Sequence, residues 1–355
     1  MEFFGNILDW AVALFLFGLL LFIHELGHFL MCRLTGVKAE EFGFGFPPRL
    51  AKLFTWQGTD ITLNWIPFGA FVRPLGEDDP TIQGGLAAAS KRVRTLVLLG
   101  GVLFNAAAAI MAYTIAFKIA YPDSVMVYSV TPDTPSAQSG LLPGDLILSV
   151  DGHAISRSTE LTDYIYANRG KEVTLHVSRN GTALDILVTP RTEAETPDKQ
   201  GPTGMQLSQL FSSNHNWGEA FQEGLITIRG QLQLFLQLPG MILRGGFNAS
   251  TDRPVGPLGI LDVTEQIVGS ARESNQWVII LSWIGMINLA LAIGNILPIP
   301  ALDGGRLVFI LIEAVRGKRV DPEKERMVHG YTMLILILLM LFITYLDVFF
   351  PVLPR

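Results

Sequence analysis

The fold class predicted by this sequence is a polytopic α-helical membrane protein with four transmembrane helices, a membrane-associated β-hairpin or small sheet, and one inserted α+β module. Three observations predict it. Of the 355 residues, 49% are hydrophobic and only 16% charged, and the mean hydropathy is +0.38; such a balance belongs to membrane proteins carrying some water-soluble mass. Four apolar runs, at residues 10–32, 95–120, 277–296 and 331–350, reach the roughly 20 residues needed to cross a bilayer. Between the second and third runs, residues 125–189 switch to short alternating strands punctuated by Gly, Pro, Asn and Asp, the pattern of a compact strand-rich module.

The bounds on function are equally simple. The net charge of −6 is mild and no basic patch stands out, so nucleic acid is not expected as a partner. Cys32 is the only cysteine, which excludes an intrachain disulfide and a thiolate metal cluster. Residues 1–9 hold Glu2 and Asp9 but no Lys or Arg, unlike the basic start of a signal peptide, so the first run is expected to be retained.

Residues 1–120 read as a first transmembrane part. Run one contains His24-Glu25-Leu26-Gly27-His28 in an otherwise uncharged stretch. On a helix of about 3.6 residues per turn, histidines four apart face one metal ion, and the intervening glutamate can take a proton from a metal-bound water. Ionisable groups inside a membrane helix are costly and by default functional. His24 lies 14 residues past Trp10, so about 21 Å along the helix at 1.5 Å per residue. Cys32 shares that face and reads as a packing residue. Next, EFGFGF, DITLNW and GAFVRP are strand-like; residues 60–65 and 69–73, separated by Ile66-Pro67-Phe68, are expected to form a hairpin or small sheet. Its Phe and Trp content suits a sheet dipping into the bilayer edge; an ordinary interfacial loop is the alternative. Run two carries Gly100, Gly101 and Asn105, small and polar residues of the kind that pack helices in lipid.

Residues 121–195 read as the inserted module, closing on a hairpin through Asn180-Gly181. Residues 196–276 read as a linker containing an interfacial amphipathic helix at 220–243, followed by a chain break at 254–259. Residues 277–355 form the second transmembrane part, run three ending in NILPIPALDGG at 295–305 and followed by a short polar segment with Arg306, Arg316, Lys318, Arg319, Lys324 and Arg326. His153, His176, His215 and His329 are expected at the surface, and Asp347 at an interface.

Topology links the two ends. The segment 33–94 carries eight Lys and Arg, and the segment after run three is also basic, so both should face the cytoplasm, leaving the module and both termini outside. Runs one and three then cross in the same direction, which brings Asp303 to the same side as the end of run one. A zinc site needs a third protein ligand beside a water. Glu40 and Glu41 fall beyond the end of run one, whereas Asp303 follows the helix-ending Pro298 and Pro300 and precedes Gly304-Gly305, which permit close approach.

HELGH in run one, an insert containing SGLLPGDLILSVDG (139–152), and NILPIPALDGG at run three together resemble, in order and over nearly the whole chain, the site-2 proteases, in particular the bacterial regulator-of-sigma-E type. The insert itself resembles PDZ domains of bacterial membrane and periplasmic proteases. The resemblance implies Zn2+ bound by His24, His28 and Asp303, with Glu25 as catalytic base. It also implies that Asn295, Pro298, Pro300 and Asn105 lie along the substrate, with the strand bearing Gly69 and Phe71 guiding it. The implied substrates are transmembrane segments of single-span proteins, such as anti-sigma factors or remnant signal peptides. The implied setting is the bacterial cytoplasmic membrane, with peptide carboxyl termini held by the PDZ-like module and the lipid bilayer as the other partner. The chain departs from the family in having room for one PDZ-like module rather than two, and Gly101-Val-Leu-Phe-Asn105 lacks a proline usual there. The competing reading is a non-catalytic membrane scaffold that binds exported polypeptides through the module; a metal transporter fits less well with Glu25 present.

Overall fold

The computed structural model describes residues 2–197, 200–212, 216–243, 254–274 and 276–350. The chain divides into two units, residues 1–116 with 221–355, and residues 117–220.

In the first unit, α1 (Glu2–Thr35) leads into β1 (Ala39–Trp56) and β2 (Thr59–Pro74), and α2 (Lys91–Ile119) follows a loop. Four described helices are long and apolar enough to cross a membrane: Ile7–Thr35 within α1, α2, a helix at Val278–Ile296 and a helix at Pro322–Phe349. The expected four spans are therefore present. Only 6% of the most apolar window of the last helix is buried within the protein, so its side chains need an apolar medium that the protein itself does not provide.

Of the hairpin or small sheet expected here, the structure has the small sheet. Segments 60–65 and 69–73 do not pair with each other. Phe42 pairs with Val72 on one side and Ile61 on the other, and Ala51, Lys52 and Phe54 pair with Leu63, Thr62 and Ile61. Both long strands are bent, giving four antiparallel segments in the spatial order 69–74, 39–46, 59–66, 49–56. The hairpin turn lies at Gln57-Gly58, where φ is 47° and 85°, rather than at Ile66-Pro67-Phe68. EFGFGF supplies the middle segment because its phenylalanines bury against α1: Phe42 packs with Phe29 and Phe22.

In the second unit, β3 (Tyr121–Val130), α3 (Pro135–Gln138), β4 (Leu146–Val150), β5 (His153–Ala154), α4 (Ser158–Ala167), β6 (Val173–Arg179), β7 (Thr182–Val188) and β8 (Met205–Ser212) form one sheet with two helices. The sheet order is β7-β6-β4-β3-β8, with β5 on β4. Val125, Ile147, Leu161, Leu175 and Val177 are fully buried at its core. Asn180 and Gly181 have φ of 51° and 82°, the two positive values a tight twisted hairpin turn requires. The boundary at 195 falls short: β8 pairs along the length of β3, and the unit runs to 220. The alternation in MQLSQLFS is legible, but the polar stretch before it masks its membership of the sheet.

Beyond this unit come α5 (Trp217–Leu243), α6 (Pro257–Ser274), α7 (Val278–Ile296), α8 (Asp303–Arg316) and α9 (Pro322–Phe349). Residues 220–243 are helical as expected, and α5 leaves Leu234, Leu236 and Ile242 exposed. Two helices were not anticipated. Where only a chain break was expected, α6 forms, packing Val268 and Ala271 against Leu16 and Ile280. The expected polar segment after run three is instead the amphipathic α8. Asp347, expected at an interface, is buried and accepts hydrogen bonds from the N–H groups of Gly256 and Gly259 at 2.9 and 3.2 Å. Those amides lie at the start of α6, whose first N–H groups have no partner within the helix. His215 lies outside the described residues.

Candidate active site

His24 and His28, one turn apart on α1, bring their Nε2 atoms to 3.0 Å, and each lies 3.2 Å from Oδ2 of Asp303. All three ligand atoms fall within 4.8 Å of one another. Asp303 begins α8, delivered by the six residues between α7 and α8. Its glycine neighbours make the seat possible: a Cβ on Gly304 would lie 2.3 Å from the carbonyl oxygens of Ile296 and Leu297, and one on Gly305 2.3 Å from that of Ile299.

Proton bookkeeping shows what the site can hold. His28 Nδ1 lies 2.8 Å from the carbonyl oxygen of Val97. A carbonyl only accepts, so Nδ1 carries the proton and Nε2 presents a lone pair. His24 Nδ1 lies 3.2 Å from the side-chain amide of Asn105, which is fully buried with Oδ1 unpartnered. Amide nitrogen and oxygen are interchangeable by rotation. With Oδ1 toward the ring, the orphan acceptor is satisfied and His24 also presents a bare Nε2. Asp303 Oδ2 is likewise buried and without a hydrogen-bond donor. With both rings neutral in these tautomers, three lone pairs converge, which repels unless a cation stands between them. Two nitrogens, one carboxylate oxygen and separations near 3 Å suit a tetrahedral Zn2+ with bonds of about 2.0–2.2 Å. The hydrogen bonds from Val97 and Asn105 fix both rings from behind, as second partners of metal-bound histidines do.

Glu25 lines the same cavity, of about 430 Å³, together with Leu21, Phe71, Asn295 and Leu302. Its Oε2 accepts from the N–H of Val72 at 3.1 Å. That amide points away from the pairing with Phe42, so the free edge of segment 69–74 faces Glu25.

The anticipated substrate residues separate. Asn295 and Phe71 line the cavity. Asn105 does not, because it sits behind His24. Gly69 instead packs on α1, where an added Cβ would meet Leu21 at 2.9 Å. Pro298 and Pro300 shape the loop before Asp303 and are absent from the cavity lining. Cys32 is buried with Val37, Leu86 and Val97, as expected of a packing residue. Sequence reasoning missed the role of Gly101: a Cβ there would lie 2.4 Å from His24 Cε1 and 2.6 Å from His28 Nε2. The run of small residues in α2 was the available signal. It also missed Glu77, which reaches the cavity from the loop after β2; burial pushes this carboxyl up, against the opposing pull of Arg306.

Comparison with known proteins supplies an independent frame. Residues 12–340 match Peptidase family M50. The chain is 28% identical to zinc metalloprotease RasP of Geobacillus kaustophilus, covering 94% of this chain and 96% of that protein. It is 30% identical to the chloroplastic membrane metalloprotease ARASP of Arabidopsis thaliana, covering 92% and 75%. Among solved structures, the PDZ domain of an SdrC-like protein from Listeria monocytogenes is 32% identical over 24% of this chain and 87% of that one, with a TM-score of 0.21.

Proposed function

Because this chain belongs to peptidase family M50 and is an integral-membrane zinc metalloprotease, we propose that His24, His28 and Asp303 hold the zinc and that Glu25 is the general base for cleavage inside the membrane. The observation that carries this reading is the convergence of His24 Nε2, His28 Nε2 and Asp303 Oδ2 beside the Glu25 carboxylate. Zinc bound there polarises a peptide carbonyl and acidifies water. Glu25 takes a proton from the attacking water and returns it to the departing amine nitrogen. The N–H of Val72 fixes one oxygen of Glu25 and leaves the other for this exchange. A helical substrate hides its carbonyls in its own hydrogen bonds, so it must unwind locally. We assign the free edge of segment 69–74 as the strand it pairs with, and Asn295 and Phe71 as its side-chain contacts. The substrates are then transmembrane segments of single-span proteins, among them anti-sigma factors or remnant signal peptides.

We read residues 33–94 and 306–326, by their Lys and Arg content, as cytoplasmic in a bacterial cell, with the PDZ-like unit outside the cytoplasmic membrane. Within that unit β8 is a terminal strand of the sheet, and its outer edge is the place where an extended peptide end would add.

The test is Glu25→Gln in the full chain with a single-span membrane substrate. Cleavage should fall by about 10²–10⁴-fold, the usual worth of a general acid–base group, while bound zinc stays at one per chain. Undiminished cleavage removes Glu25 from the mechanism. Stripping zinc with a chelator should abolish cleavage and adding it back should restore it; persistence without zinc contradicts the ligand assignment.

A further inference from the structure

Asp303 owes its position to the loop in front of it, and that loop is strained at one residue. Ala301 has φ +83°, in the left-handed region that residues with a Cβ rarely adopt. Such a conformation persists only where its surroundings over-determine it. The Ala301 N–H donates to Nδ1 of His329 on α9 at 2.8 Å, from 28 residues along the chain. Ile299 and Leu302, by contrast, donate within the loop, to the carbonyls of Leu297 and Ile299.

His329 is well made for holding this amide. Accepting through Nδ1 requires the proton to sit on Nε2, since a doubly protonated ring has no acceptor. The ring packs against Phe309 of α8, centroids 5.3 Å apart. Its Nε2 is buried without a protein partner beside a cavity lined by Glu77, Asp78, Arg306 and Arg326, polar enough for a water to receive that proton. The ring is therefore no surface histidine. It stands behind the loop as Asn105 stands behind His24.

We propose that His329 is a positioning residue for the metal centre: by accepting the Ala301 N–H it locks the loop 297–302 in the conformation that aims Asp303 at His24 and His28, and so sets how tightly zinc is held. This rests on Asp303 being a zinc ligand.

The test uses the purified full chain, loaded with zinc in detergent, and reads zinc release to a coloured chelator alongside kcat and KM. His329→Ala should speed zinc release by about 10–100-fold, the usual effect of losing a group behind a metal ligand, and lower kcat more than KM changes. His329→Asn places Oδ1 where Nδ1 now lies and should stay within a few-fold of the native rate. His329→Gln is closer in volume but carries its acceptor one bond too far, and should behave like the alanine variant. Native-rate release from His329→Ala, or rescue by Gln as complete as by Asn, overturns the proposal in favour of simple packing. Asp303→Asn distinguishes the two levels. If it also holds zinc at the native rate, the ligand assignment itself fails; if it leaks zinc while His329→Ala does not, only the role of His329 falls.

Discussion

A methyl group on Gly101 would stand 2.4 Å from His24 Cε1 and 2.6 Å from His28 Nε2, closer than real Cβ contacts come, so something must shift. Gly101→Ala should therefore displace the imidazoles, with zinc affinity falling at least about 10–100-fold as it does when ligand support is lost. Gly230→Ala on α5, where nothing lies within 4 Å, is the control and should leave zinc in place. Metal analysis of the two purified proteins decides it: equal zinc in both would mean that α2 does not press on the histidines. The HELGH spacing displays in the sequence the two rings proposed as ligands and the carboxylate proposed as base. The closeness of Gly101 to them is not displayed there, because glycines in membrane helices also serve ordinary helix packing.

The bent sheet turns on Glu41, which is buried yet bonded by Arg49 at 2.8 and 3.0 Å, by the Thr62 hydroxyl at 2.8 Å and, more loosely, by Arg73 at 3.3 Å. Three of the four segments thus converge on one carboxylate. Burial alone would raise its pKa, but the bonds from Arg49 and Thr62 outweigh it and hold the group below the ordinary glutamate range. Glu41→Ala should destabilise the sheet by about 1–3 kcal/mol, the typical worth of charge-assisted bonds to a buried group, and open residues 47–58 to limited proteolysis. An unchanged digestion pattern would show that pairing alone holds the bend. In the second unit, Asp145 is gripped by Arg179 through two contacts of 2.7 Å and by the Leu142 N–H at 2.9 Å, and Arg179 above all holds its carboxyl below the usual range. Because the folded pKa is depressed, the stabilisation is complete above the unfolded value of about 3.9 and is lost as pH falls below it through the folded value. Hydrogen exchange in the full chain should show β4 and β6 loosening in that acid range, and Asp145→Asn should remove most of the pH dependence. Identical acid profiles for both proteins would exclude this pair as the cause.

At the scale of the whole molecule, Asp9 and Asp347 tie together helices that lie far apart in sequence in the membrane unit. Asp9 on α1 accepts from Arg272 on α6 at 2.8 and 3.1 Å, and Asp347 on α9 accepts from the first amides of α6. Of the two unanticipated helices, α6 is thus tied to both the first and last spans. Asp347→Ala should leave buried amides unsatisfied, at roughly 1–3 kcal/mol each, and lower the unfolding midpoint in detergent without releasing zinc. Zinc loss in step with stability would mean that α6 supports the site directly. For the orientation, cysteines placed at Ala183 in the second unit and at Lys324 in the first turn of α9 should react from opposite sides with a membrane-impermeant maleimide in intact cells; Cys32 is buried and silent. Labelling of both from outside would contradict the assigned topology.

The spans, the insert, the metal chemistry and the pairing of HELGH with Asp303 were all written in the sequence, because hydrophobic length, motif spacing and the parity of crossings are properties of the chain taken locally or counted along it. Only the tertiary structure decided the rest: that 39–46 runs between 60–65 and 69–73, that α6 exists, that Asn105 backs a histidine rather than meeting substrate, and that Ala301 is held by His329. Each of these depends on which surfaces meet across the bundle. Local patterns cannot carry that information, since the same residues would satisfy propensity in several arrangements and only packing and hydrogen-bond satisfaction select one.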